Sequence, residues 1–325
     1  MASDLGADPA SSRFPFPAYA NGWFRAAYSD ELAVGELKPL FLLGRDLVLF
    51  RDEDGDAHLL DAHCAHLGAH IGHGGRVEGK GVRCPFHAWL WDGSGRCLDI
   101  PYGKKIPAKA RIRSWPVCEK NGLIMLWHHS DGEAPSYQLP EVECWGSDEW
   151  TPYELRHWKV RSRWLDMNEN AVDQVHFRYV HGAHTIPETE VEVDGHILSC
   201  RSRMQLGTPE GEVRGGIDTT DHGPAFQTVH LTGIIETIMV NTATPIDEEY
   251  TDVSFAYSVH RIDGADADHG VGSAIIRDLE KQMSEDIVIW EHKKYFRRPL
   301  LCDGDGPIGT YRKWMRQFFS EDPWG

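Results

Sequence analysis

Cys64-Ala65-His66 and, after seventeen residues, Cys84-Pro85-Phe86-His87 decide how the first third of this chain is read. Each arm offers one thiol and one imidazole. A structural zinc site usually draws two Cys from one short arm and two His from the other. The interleaved order instead suits a two-iron cluster, with Cys64 and Cys84 on one iron and His66 and His87 on the other. Gly68, Gly72, Gly74 and Gly75 let loops approach such a cluster, and Pro85 and Trp89 are placed to wall it from water. A lone buried Cys is more often a small core hydrophobe, which is the reading for Cys97, Cys118, Cys144, Cys200 and Cys302. His63, His70 and His73 crowd the same segment but complete no second site, and read as surface residues.

Working outward, the surrounding text is strand-like. Short apolar runs at 41–43, 47–50, 59–60 and 123–127 are separated by turn signals. Asp54-Gly55 joins two of them as a hairpin, and Asp92 to Gly95 marks another turn. Residues 19–130 therefore read as a small antiparallel β domain, preceded by a flexible leader over 1–18 that is rich in Ala, Ser, Pro and Asp. Residues 131–150 turn acidic and irregular, with Pro135 and Pro140, and read as a linker. In 151–325, strands are expected at 153–164, 191–200, 228–240 and 251–262, and a helix at 165–180. A helical stripe of Ile276, Leu279, Met283, Ile287 and Trp290 runs through 273–295. A sheet with helices packed mainly on one side, α+β, is the expected architecture of this second half.

Composition narrows the partners. The 325 residues hold 33 Lys plus Arg against 50 Asp plus Glu, a net charge of −17. Such a surface repels phosphate backbones and anionic headgroups, so neither nucleic acid nor a membrane surface is an expected partner. No apolar run approaches the span of a bilayer. The opening residues lack a basic stretch followed by an apolar one, so no export signal is expected. Seven scattered cysteines form no disulfide framework, and the expected location is reducing and cytoplasmic.

A one-electron cluster does no organic chemistry alone, so the rest of the chain should hold the electron's destination. Asn170, Asp173, His176 and His181 form the pattern N-x2-D-x2-H-x4-H. On an ideal helix the two histidines sit roughly 140° apart, so both face one metal only if the helix ends or bends between them. Val180 and Gly182 permit that. A facial Fe(II) site also needs a carboxylate. Asp286 falls on the edge of the late apolar stripe, whereas Glu285 and Asp278 point to the opposite face. An acid on a buried face needs a partner, and a metal is one. The plainer reading is a helix-flank Asp paired with Arg or Lys; Glu291 is the rival acid and His184 the rival imidazole. Asp173, three residues before His176 on the same helical face, is either a surface acid or a hydrogen-bond partner that fixes the tautomer of His176.

With both constellations in this order, the chain resembles the oxygenase component of a Rieske non-heme iron oxygenase over nearly its whole length. The tail residues 285–294, 298–301, 305–307 and 311–314, with 22–24 and 32–35, are similar to the 3-ketosteroid 9α-hydroxylase oxygenases and their sterol-desaturase relatives. The resemblance implies an N-terminal all-β Rieske [2Fe-2S] domain followed by a helix-grip α+β catalytic domain with an antiparallel sheet. It implies that His176, His181 and Asp286 hold a mononuclear non-heme Fe(II), with Asn170 a further catalytic candidate. It implies a homotrimer, in which Asp173 contacts the partner subunit's His87 and passes the electron across. NADH acts only indirectly, through a separate ferredoxin reductase or ferredoxin, since the chain has no Gly-rich dinucleotide fingerprint. The implied reaction is O2-dependent hydroxylation of a small hydrophobic, polycyclic, steroid-like substrate, in a pocket lined from strands 231–240 and 253–259. Alternatives are desaturation or aromatic O-demethylation on the same scaffold, a zinc-stabilised binding protein, or a Rieske electron-transfer protein. The residues beyond the linker, with their own ligand set, argue against the last.

Overall fold

The computed structural model describes residues 13–208, 211–261 and 270–321. The first half is a set of short antiparallel strands: β1 (Gly22–Tyr28), β2 (Leu37–Leu42), β3 (Arg45–Arg51), β4 (Ala57–Asp61), β5 (Arg76–Glu78), β6 (Gly81–Arg83), β7 (Leu90–Asp92), β8 (Cys97–Asp99), β9 (Ser114–Trp115), β10 (Val117–Lys120) and β11 (Leu123–His128). They form three sheets, ordered β2-β3-β4-β9, β5-β6-β7-β8 and β1-β11-β10. The apolar runs of β3, β4 and β11 are the buried centres of these sheets. Polar turns such as Asp54-Gly55 fix their register, since a one-residue slip would turn each buried set toward water.

The second half is a seven-stranded antiparallel sheet and a long helix. Its strands are β12 (Glu154–Val160), β13 (Glu188–Asp194), β14 (Ile197–Thr208), β15 (Gly211–His222), β16 (Phe226–Thr232), β17 (Thr237–Pro245) and β18 (Thr251–Val259). In the order β12-β18-β17-β16-β15-β14-β13, the strands from β13 to β18 form a meander and β12 is added beside β18. The helices are α1 (Trp164–Met167), α2 (Val175–Tyr179), α3 (Val271–His292) and α4 (Ile308–Met315). Along α3, Ile276 packs with Met239 and Tyr257, and Met283 and Trp290 pack with Val253 and Ala243. The sheet is thus gripped by one helix, and each large apolar side chain so buried contributes on the order of 1.5–3 kcal/mol. Among the described residues no helix is long and apolar enough to cross a membrane.

Several expected elements are redrawn. The strands expected at 191–200 and 228–240 are each two strands, broken at Gly195-His196 and over 233–236. Polar hairpin residues within β-rich text masked the first break; Ile234 and Ile235 masked the second. The strand expected to Ile262 ends at Val259, and Ile262 lies outside the described residues. The leader lies outside them up to residue 12, and from there the chain is packed rather than loose. Phe14 and Phe16 are buried in the core that holds Tyr295 and Trp314. Residues 131–150 carry no strand or helix, yet Leu139, Val142, Cys144 and Trp150 are buried with Trp23, Trp127, Phe226 and Val240. The joint between the halves is therefore a packed core. Cys302 is exposed, which corrects its reading as a core residue.

Candidate functional site

The two Cys-His arms fold as two copies of one loop. Cys64 N–H donates to Ala69 O and Gly68 N–H to Cys64 O; twenty residues on, Cys84 N–H donates to Trp89 O and Ala88 N–H to Cys84 O. The fifth residue of each loop is left-handed, with φ of 75° at Gly68 and 58° at Ala88. The turn needs that conformation, which Gly adopts freely and Ala adopts under strain. Both thiols are buried, and both imidazoles are half-buried at the rim with ring centroids 4.7 Å apart. Trp89 stacks flat on His66 at 4.7 Å and donates its Nε1–H to Tyr102 Oη at 2.9 Å. Trp89 thus shields one ring face, while Pro85 is exposed. Burial pushes the Cys64 thiol up to about 11.

Gly75 closes the first arm in a different way. A Cβ there would lie 2.3 Å from Ile71 O and 3.0 Å from Arg83 O, whereas one at Gly68 meets nothing within 4 Å. Gly68→Ala is expected to cost about 1 kcal/mol, the strain of its left-handed backbone. Gly75→Ala should cost more, on the order of 1–3 kcal/mol, because backbone must move. Urea melts, with visible absorbance as a measure of cluster retention, separate the two: equal losses would show that the close approach at Gly75 has no consequence.

The second constellation is assembled where a helix fails to continue. Residues 164–179 form α1, a 3-10 turn over 168–172 and α2, with Asp173 extended between the last two (φ −98°, ψ 95°). Asp173 and His176 therefore do not share a helical face, which corrects that expectation. The main-chain carbonyl of Asp173, not its carboxylate, accepts from His176 Nδ1, while the carboxylate accepts from Val175 N–H at 3.1 Å. Helix α2 stops before Val180, and Gly182 takes φ 72° to turn the chain. His181 is thereby brought back toward His176, their rings 5.2 Å apart. Asp286, from the buried side of α3, completes the group: the three residues offer ligand atoms within 4.8 Å of one another.

The rivals lie elsewhere. Glu291 accepts from Arg161 N–H at 3.0 Å, and His184 is exposed. His181 Nε2 lies 3.3 Å from Asp286 Oδ2. Its Nδ1 lies 3.0 Å from Glu285 Oε2, so Glu285 faces the site rather than pointing away from it. Burial opposes protonation of both imidazoles; at His181 the two carboxylates outweigh it and raise the affinity for a proton, whereas at His176 it falls. Two imidazoles, one carboxylate and open space on the remaining side are the donor types that a mononuclear iron site uses.

That open space is a pocket that reaches His176, His181 and Asp286. Leu231, Met239, Val253 and Phe255 line it, as the strands at 231–240 and 253–259 suggested; β15 adds Ile217 and Thr219, which sequence reading missed. Asn170 also lines it, and its Oδ1 accepts from Trp290 Nε1 at 3.4 Å, holding that indole in the wall. At the floor, Gln227 Nε2 donates to Asn168 Oδ1 at 2.8 Å and to Asp221 Oδ1 at 2.9 Å, and Asn168 Nδ2 donates to the same carboxyl oxygen at 3.0 Å. Asp221 is fully buried, its Oδ2 has no partner, and burial pushes its carboxyl up to about 7.

The chain resembles known proteins along most of its length. Residues 22–116 match the Rieske [2Fe-2S] domain family, and residues 126–319 match the 3-ketosteroid 9alpha-hydroxylase C-terminal domain. A 3-ketosteroid-9-alpha-monooxygenase oxygenase component of Rhodococcus rhodochrous is 32% identical over 322 residues, covering 93% of this chain and 84% of that protein. Cholesterol 7-desaturase of Hemicentrotus pulcherrimus is 32% identical over 334 residues, covering 94% of this chain and 71% of that protein. In fold, the chain is similar to the crystal structure of dicamba monooxygenase bound to 3,6-dichlorosalicylic acid, with a TM-score of 0.76, 21% identity and coverage of 93% and 98%. Both groups of candidate ligand side chains stand in the matched regions. This chain belongs to the Rieske non-heme iron oxygenases, as an O2-dependent oxygenase component of the 3-ketosteroid 9α-hydroxylase type.

Proposed function

We propose that this chain is the terminal oxygenase that hydroxylates a hydrophobic, polycyclic, steroid-like molecule. Its electrons come from NADH through a separate reductase or ferredoxin. One observation carries the reading: a cradle for a one-electron cluster and a second ligand group stand in one chain, and the second opens on an apolar pocket. Both donor sets fit their groups. Cys64, His66, Cys84 and His87 offer two buried sulfurs and two rim nitrogens for a [2Fe-2S] cluster. His176, His181 and Asp286 offer three ligands for Fe(II) and leave positions free. When bound, the cluster supplies an electron and the mononuclear iron supplies O2 activation. Hydroxylation balances as substrate, O2, two electrons and two protons giving alcohol and water.

The chain's own residues position the reactants and exclude water. Leu231, Met239, Val253 and Phe255 keep the pocket dry, and Asn170 fixes Trp290 against the substrate side. His66 and His87 present the edge through which electrons pass. Leu67, Phe86 and Tyr102 are exposed around that edge, and Tyr179 is exposed on the His176 helix. A homotrimer covers both patches and lets Asp173 meet the partner subunit's His87. The enzyme works in the cytoplasm. Desaturation is the second reading, favoured by the cholesterol 7-desaturase relative; it consumes the same two electrons and removes two hydrogens.

Chemically reduced protein, mixed without oxygen with 3-ketosteroids, sterols and methoxylated aromatic acids and then given O2, tests the reading by mass spectrometry. A steroid gaining one oxygen supports hydroxylation, and one losing two hydrogens supports the second reading. A demethylated aromatic acid with every steroid untouched would overturn the substrate. Asp173→Ala should slow single-turnover electron transfer, by about 10-fold or more, with both metal sites loaded. Unchanged rates would remove Asp173 from the electron path.

A further inference from the structure

We infer that Glu285 is a positioning residue of the second metal site, holding the far nitrogen of His181 so that the near one faces the ion. This rests on the reading of His176, His181 and Asp286 as the ligands. His181 is wedged between two successive carboxylates of α3, with Nδ1 at 3.0 Å from Glu285 Oε2 and Nε2 at 3.3 Å from Asp286 Oδ2. Consecutive helical residues diverge by about 100° and rarely share a target. They share one here because the imidazole lies along the flank of the helix. Its two nitrogens are thereby sorted: Nε2 joins Asp286 at the ligand centre, and Nδ1 points away from it.

Glu285 is itself held. Lys281, one turn earlier, places Nζ 3.5 Å from Glu285 Oε1. The Glu285 side chain is 32% exposed against 5% for His181, so the carboxylate sits at the outer rim of the site, behind the ring rather than in the pocket. A carboxylate that accepts the second N–H of a metal-bound imidazole fixes its tautomer and orientation and makes it a stronger ligand. His176 receives the same service from the main-chain carbonyl of Asp173, which no side-chain substitution removes. Of the two imidazoles, His181 is therefore the one whose support a point mutation can take away.

The test uses the full chain with its cluster in place and the second site emptied by mild chelation. Wild type, Glu285→Ala and Glu285→Gln are titrated anaerobically with Co(II), read from its visible d–d bands, and with Fe(II) against a competing chelator. Glu285→Ala should bind either ion about 10- to 100-fold more weakly. Glu285→Gln, which keeps an acceptor oxygen, should recover part of that loss. Cluster absorbance and the thermal midpoint should not change, since the side chain is partly in water. Wild-type affinity in Glu285→Ala would overturn the inference alone. A wild-type protein that takes up neither ion would overturn the ligand reading and the inference with it.

Discussion

Replacing Asp286 with Ala is expected to reduce turnover to background and to lower the iron load from about three to about two per chain, leaving the cluster intact. Asp286 is buried, and its ion-pair partner among the described residues is His181, with no Lys or Arg in reach. A carboxylate so placed costs free energy unless a cation joins it. Removing it should therefore leave the fold, compared without iron in the second site, about as stable as before. That separates the functional reading from a structural one, in which loss of an ion pair would lower the melting point. Neither neighbouring acid stands in for it: Glu291 is committed to Arg161 N–H, and Glu285 lies behind the His181 ring, at Nδ1. Iron analysis, the visible spectrum and a thermal melt on one preparation decide the matter: retained activity, or a melting point lowered by several degrees with iron unchanged, would remove Asp286 from the ligand set.

The second large effect concerns Asp221 and is a stability effect. Its carboxyl is fully buried, accepts two amide hydrogen bonds on one oxygen and none on the other, and has no cation partner among the described residues. Burial raises it from 3.8 to about 7. A raised carboxyl binds its proton more tightly folded than unfolded. The folded state is therefore favoured most below the unfolded value, loses stability as pH rises toward 7, and stays lower above it. The slope is about 1.4 kcal/mol per pH unit, or about 2 kcal/mol between pH 5.5 and 7. Asp221→Asn removes this slope whatever constant offset it adds. Urea melts of both proteins at several pH values should give a difference that grows in favour of the variant as pH rises. A difference that is flat with pH would mean that Asp221 titrates as an ordinary carboxyl.

Both candidate ligand groups were legible in the sequence to different depths, for a physical reason. All four cluster side chains sit in two short loops, so local spacing carries the geometry. The second group draws on two distant segments. His176 and His181 announced themselves, with Val180 and Gly182 as the stop between them, and Asp286 was reached from its place on the α3 stripe. Glu285 was misplaced because a helical wheel knows only its own helix, whereas the path of residues 180–182 decides where the His181 ring lies. Asp221 gave no signal. The text Thr219-Thr220-Asp221-His222 reads as an exposed strand end, and its burial depends on Asn168 and Gln227 arriving from other elements. Asp173 was assigned by helical spacing that the extended backbone there does not keep.

Each chain is expected to carry both an electron store and a site that spends an electron on a bound substrate, whichever chain's cluster supplies it. A single turnover decides whether it does. Protein with both sites loaded, fully reduced and then freed of reductant, is mixed with a 3-ketosteroid and 18O2 with no reductase present. The cluster absorbance should return to its oxidised form in step with product, and product carrying one 18O should approach about one per chain, the reduced cluster and the ferrous ion each giving one of the two electrons. Cluster oxidation without labelled product, from protein with a full iron load and a substrate shown to bind, would contradict that expectation.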